Sequence, residues 1–260
     1  MKIRVLLSSM KVQMKQSFSR PMFRFCLIMN PVLNTVLLYE MYKEAGEENF
    51  MAYVVLGAGL MGLWGCICFS SAGDINRERY SGTLPLIFAA PAGFPLIILG
   101  KIVGNTVMSL LTLVISLVTA ALLFHVPLSL ADPLLFTLAM AALIISFVVI
   151  SFTIACLLTL SRKTELYMNC IEIPLVLLCG FVYPVSVLPA PVRAVSYALS
   201  PTYAVELLRM SVWGVEDVHL YFQKMAVLFA LTLLYAVLGG VLYKRIDKRV
   251  RIKASLEVMG

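Results

Sequence analysis

Between two long apolar segments the chain reads Gly73-Asp74-Ile75-Asn76-Arg77-Glu78-Arg79-Tyr80-Ser81-Gly82-Thr83-Leu84. Charged side chains packed this closely do not settle in hydrocarbon, and Ser81-Gly82-Thr83 can turn the chain and cap a helix. The stretch therefore separates two membrane segments and gives the protein a charged, turn-forming contact at the bilayer surface. A partner can push or pull there.

The flanking composition supports this division. Of 260 residues, 61% are hydrophobic and only 13% charged, with a mean hydropathy of +0.93. A soluble domain carries about a quarter charged residues, so the solvent of this chain is lipid. A single membrane domain over residues 1–260 leaves no room for a soluble one. Six apolar segments predict six spans, at about Phe25–Tyr42, Phe50–Ala72, Leu96–Phe124, Pro133–Leu160, Leu166–Val182 and Tyr221–Tyr243. Crossing takes about 20 apolar residues. The first and fifth segments are marginal, and Asn30-Pro31 and Asn34 interrupt the first. The third and fourth are long enough to tilt or protrude.

Residues 1–20 read as an amphipathic helix lying on the membrane. Ile3, Leu6, Leu7, Met10, Met14 and Phe18 share one face, and Lys2, Ser9, Lys11, Gln13, Lys15 and Gln16 take the others. The basic start permits a signal peptide, but no small-residue cleavage site follows Tyr39 and the basic leader is too long.

Basic residues set the orientation. Of the 21 Lys and Arg, all but Lys43, Arg193, Arg209 and Lys224 fall on one side of the six-span scheme. By the positive-inside rule both termini are expected in the cytoplasm. The same placement reads the net charge of +7 as anchorage to anionic lipid rather than nucleic-acid binding. The six cysteines mostly lie in apolar runs and read as small core residues. His125 and His219 have no suitably spaced companion, so no metal is assigned.

After Thr83, Pro85 suits the first turn of a short helix. Leu84, Ile87 and Phe88 would share its apolar face, and Pro91, Gly93 and Pro95 would end it. Arg77, Glu78 and Arg79 rim this greasy knob, which has the character of a surface that docks into a cleft of a soluble protein.

These residues resemble the permease subunits of ATP-binding-cassette exporters of the type-2 (ABC-2) family. The matching positions are Glu78-Arg79, Gly82-Thr83-Leu84, Pro91 and Gly100-Lys101. Pro85 departs from the acidic residue many members carry. The resemblance implies that residues 77–91 form a coupling helix that inserts into a separate ATPase subunit, with Arg77, Glu78, Arg79, Gly82, Thr83, Leu84, Ile87 and Phe88 as the contact. It extends along the whole chain: basic start, six spans, and a proline-rich outer segment at 184–213.

That outer segment is too apolar for an ordinary loop and too broken by proline for a span. It reads as two short helices re-entering the outer leaflet, or as an interfacial loop anchored by Tyr and Trp. The resemblance makes it part of the outer gate, with Pro184, Pro189, Pro201, Tyr203 and Arg209 as its residues. Within the spans, Glu172 is a costly intramembrane carboxylate and a candidate for a substrate path or a proton site. It is also near enough to Arg162 and Lys163 to stay hydrated at the cytoplasmic face. Asn30, Asn34 and Asn105 are further candidates for the path, or for bonds between helices.

No phosphate-binding loop exists around Gly100-Lys101, because Pro95 stands where the first glycine belongs and Ile follows the lysine. Other catalytic motifs are missing too. The expected protein is all-α and integral to the membrane. It has six transmembrane helices, an N-terminal interfacial helix, a cytoplasmic coupling helix and re-entrant short helices before the last span. It is not itself an enzyme, and ATP and Mg belong to partner ATPase subunits. A second permease subunit completes the pathway, in a homodimer or related heterodimer. The expected location is a bacterial cell membrane. The cargo is expected to be amphipathic: a drug, an antimicrobial peptide or a lipid. Three other readings stand beside this: an ion-coupled secondary transporter using Glu172, glycan export by the same fold, and an intramembrane lipid enzyme.

Overall fold

The computed structural model describes residues 2–43, 51–83, 86–87, 94–124, 130–159 and 164–253. Among them the secondary structure is entirely helical: α1 (Lys2–Ser19), α2 (Pro21–Tyr42), a π-helical turn (Met51–Val55) leading into α3 (Leu56–Tyr80), α4 (Phe94–Phe124), α5 (Pro133–Thr159), α6 (Thr164–Leu178), a 3₁₀ turn (Val185–Val187), α7 (Ala190–Ala198), α8 (Ser200–Trp213) and α9 (Val218–Lys253). Four helices are long and apolar enough to cross a bilayer, namely α2, α4, α5 and α9. Tyr53–Ile67 in α3 and Leu166–Leu178 in α6 are shorter apolar stretches.

Two expected interruptions turn out to be helical. Asn30-Pro31 does not break α2, which runs through Pro31; proline is tolerated in a span where neighbours re-satisfy the backbone. The Thr35 hydroxyl donates to the Pro31 carbonyl at 2.6 Å. The polar stretch from Gly73 is not a loop either. α3 continues to Tyr80, and the turn begins only at Gly82, whose φ of +67° favours glycine. No glycine or proline stands between Gly73 and Gly82 to stop the helix, and Asp74 and Glu78 find partners beyond it.

Close approach of backbones holds the first half together. α4 presents a small and polar stripe: Gly100, Gly104, Asn105, Ser109, Thr112 and Ser116 are all buried. Such residues let membrane helices pack backbone to backbone. Thr112 donates to the Gly59 carbonyl at 3.2 Å and Ser116 to that of Val55 at 3.0 Å, both across to the α3 side. Nearer the start of α4, the backbone of α1 passes over Gly100 and Gly104.

This packing revises the reading of α1. Its apolar stripe is split, with Ile3, Leu7 and Phe18 exposed while Gln13 and Ser17 are fully buried. The helix docks edge-on along α4 through Leu6, Ser9, Met10 and Gln13, because a polar network beneath needs its donors more than the contact needs more hydrocarbon.

The main apolar core joins α3, α5, α8 and α9 through Leu60, Trp64, Ile67, Phe147, Leu207, Leu208, Tyr221 and Leu228. Trp64 meets Phe147 edge-on at 5.1 Å. A second cluster unites Phe94, Ile98 and Ile102 of α4 with Phe152 and Cys156 of α5 and Ile246 of α9, and Ile87 packs on it.

A side chain at Gly100 would strike Ser9 Cβ at 2.7 Å and the Leu6 carbonyl at 2.8 Å. Gly100→Val is expected to lift α1 off α4, lowering stability by about 1–3 kcal/mol. The readouts are a lower thermal midpoint in detergent and new protease cleavage within residues 2–19. An unchanged midpoint would show that α1 is not held there.

Candidate functional site

The last two turns of α3 divide their side chains by helical spacing. Asp74 and Glu78, four residues apart, turn inward, whereas Arg77 and Tyr80 are exposed. Asp74 is almost fully buried. Its Oδ1 accepts from both terminal nitrogens of Arg20 at 3.2 Å and lies 3.7 Å from Arg77. Its Oδ2 accepts from Gln13 and from Asn105 Nδ2, the latter at 3.1 Å. Ser17 completes the set, donating to Asn105 Oδ1 at 2.9 Å and accepting from Gln13 at 3.0 Å. One carboxylate thus binds α1, the α1–α2 junction, α3 and α4. Burial pushes the Asp74 carboxyl above the ordinary aspartate range, partly offset by Arg20, Lys101 and Asn105.

Glu78 makes the second tie. It accepts from Lys101 of α4 and from the Thr83 hydroxyl. Burial opposes its ionisation, but Lys101 and Thr83 outweigh that and hold its carboxyl below the usual range. The turn closes with the Thr83 amide on the Glu78 carbonyl at 2.9 Å and the Ile87 amide on that of Thr83 at 3.1 Å. The outer surface of this region is greasy and basic: Tyr80 and Leu86 project outward, and a shallow recess is lined by Lys15, Gln16, Ser19, Arg20 and Arg77. Of the residues expected to form the docking contact, Arg77 and Gly82 are exposed, Thr83 and Ile87 half-buried, and Glu78 engaged inward. Leu84, Phe88 and Pro91 lie outside the described residues, as does the side chain of Arg79.

At the other end, Gly180 (φ +72°) turns the chain out of α6. Arg209 of α8 is buried, donates to the Phe181 carbonyl at 2.8 Å and lies 4.2 Å above the Tyr53 ring. Tyr53 stacks on Tyr42, whose hydroxyl donates to the Val182 carbonyl at 2.7 Å. Pro189 precedes α7, and Pro201 opens α8 and is buried. Tyr203 pairs with Tyr197, and Pro184 leads into the 3₁₀ turn. Sequence reasoning identified Arg209 and missed the aromatic floor beneath it.

The polar residues expected within the spans divide between α4 on one side and α2 and α6 on the other. Asn105 belongs to the Asp74 network. Asn30 is exposed and Asn34 half-buried on α2, while Glu172 is half-buried on α6. Sequence reading also missed Gln13, Ser17 and Arg20. Their only signal was polarity recurring every three or four residues up to Pro21.

An apolar helical bundle with an ion-paired, capped turn at one end fits a multi-pass membrane protein. The family model of the ABC-2 type transporters matches residues 4–213, from α1 to the end of α8, and the chain belongs to that family. No curated protein matches it. Membership makes the chain a transporter permease, the membrane component that associates with an ABC ATPase subunit.

Because Glu78 has a depressed pKa, its stabilisation is present above the unfolded glutamate pKa and is lost as pH falls through the folded one. Glu78→Gln is expected to be less stable than the parent at neutral pH by about 1–2 kcal/mol. Thermal midpoints of the two should converge on acidification through and below the ordinary carboxylate range. A gap that is constant with pH would mean that Glu78 carries no such tie.

Proposed function

We propose that the chain is the permease half of an ATP-driven exporter that moves an amphipathic cargo outward. The observation that carries this reading is the capped turn at Ser81–Thr83. It is exposed at its tip, yet Glu78, Lys101 and Asp74 bind it rigidly to α1, α3 and α4. A docking element must transmit force without yielding, and ion pairs that are largely withdrawn from water and hydrogen-bonded to several helices resist bending.

In this reading the six apolar helices all span, with both termini in the cytoplasm of a bacterial cell. Residues 77–91 form the coupling element, and the exposed face of α1 extends the same contact. ATP and Mg bind to the ATPase partners and not to this chain. ATPase closure is delivered as a rigid-body displacement, and a second permease subunit completes the path. Residues 184–213 work as the outer gate, with Arg209 clamped on Phe181 and Tyr53 as its latch.

The structure separates surface from scaffold, so docking can be tested without unfolding. Tyr80→Ala combined with Leu86→Ala is expected to leave the thermal midpoint unchanged. It should cut co-purification with the ATPase, and the stimulation of its ATP hydrolysis, by about tenfold or more. If both survive intact, the docking assignment is wrong.

A further inference from the structure

The one carboxylate expected to lie within a span has a defined setting. Going round α2, Tyr39 stacks on Phe124 and Thr35 bonds Ser116, both on α4. Leu38 then packs on Val54 and Ala58, on the α3 side. At 100° per residue, the next positions in the same sense are Asn34 and Asn30. They point past α3, away from α4.

Round α3 the order is the same. Gly59 and Gly62 face α4, Ala58 faces α2, and Gly65 faces Glu172 of α6. Cys66, next in sequence to Gly65, clusters with Phe23 and Leu27 of α2 and Met108 of α4. So α2 and α6 flank one groove, and its floor is Met61 and Gly65. Both are half-buried, whereas Leu60, Leu63 and Trp64 next to them are buried. Cys26, Asn30 and Asn34 form a stripe at four-residue spacing on one wall, and Glu172 stands on the other.

Gly65 makes room for the carboxylate. A Cβ there would come within 2.9 Å of Glu172 Oε1. Among the described residues, no basic side chain makes an ion pair with Glu172. A carboxylate on a largely apolar groove, with no ion pair among the described residues, favours a cation that sheds water cheaply, one whose charge is delocalised or shielded by hydrocarbon. Small ions lose too much hydration, and anionic amphipaths are repelled.

We propose that this groove takes hydrophobic cations, with Glu172 as counter-charge and the Asn30 and Asn34 carboxamides as polar contacts. The proposal rests on reading the chain as an exporter of amphipathic cargo, and narrows that cargo by charge.

Tetraphenylphosphonium and tetraphenylborate have nearly the same size and shape and opposite charge. Their binding is measured by equilibrium dialysis to the full chain in phosphatidylcholine nanodiscs, so that lipid charge does not decide the result. Saturable binding of the cation is expected, weakened about tenfold or more in Glu172→Gln, retained in Glu172→Asp and weakened in Gly65→Ala. Tetraphenylborate should gain or hold affinity in Glu172→Gln. If a folded Glu172→Gln binds the cation like the parent, or the borate competes equally with it, the proposal fails. Should Glu172→Gln not fold, Glu172→Asp and Gly65→Ala decide in the same way. Failure to assemble with an ATPase would overturn the exporter reading and leave this binding result standing by itself.

Discussion

The end of this bundle that carries the capped turn depends on a carboxylate withdrawn from water. Asp74 would be costly to bury alone, and several kcal/mol separate a lone buried charge from a paired one. Its partners come from four pieces of chain: Gln13 from α1, Arg20 from the α1–α2 junction, Arg77 from its own helix and Asn105 from α4. Because each partner is needed, the elements that supply them cannot drift independently. Hydrophobic packing is non-directional, and in lipid it gives little preference among helix arrangements. The Asp74 network supplies the direction that packing lacks.

That constraint explains why α1 is folded against the bundle. Glycines at 100 and 104 let the two backbones meet, and Gln13 and Ser17 then reach the carboxylate. The face left outward carries Ile3, Arg4, Leu7 and Lys11, a mixture of grease and positive charge. Further along the helix, Lys15, Gln16 and Ser19 share a recess with Arg20 and Arg77.

Much of the architecture was legible from composition. Long runs such as those within α4, α5 and α9 are apolar enough that their limits follow from where charge and proline return, and the two short helices before the last span were legible from proline spacing. What periodicity could not give was which polar residues pair across helices. Asp74 and Glu78 looked like part of a solvated loop because their partners, Arg20 and Lys101, are tens of residues away. The same remoteness hid the helical state of residues 73–80 and left Asn105 open between a pathway and a bond between helices, where the structure shows it bonded to Asp74. Local spacing reports which face a residue shares; it says nothing of what another helix brings to that face.

The last helix has a mechanical consequence. α9 is unbroken from Val218 to Lys253, about 54 Å at 1.5 Å per residue, against a hydrocarbon thickness of about 30 Å. Near its start Lys224 grips Glu206 of α8 at 2.7 Å, and near its end Ile246 sits in the cluster on which Ile87 rests. It contains no proline, and its one pair of adjacent glycines is Gly239-Gly240. A single backbone thus ties the α8 end of the bundle to the cluster beneath the turn, and neither end can be placed without the other.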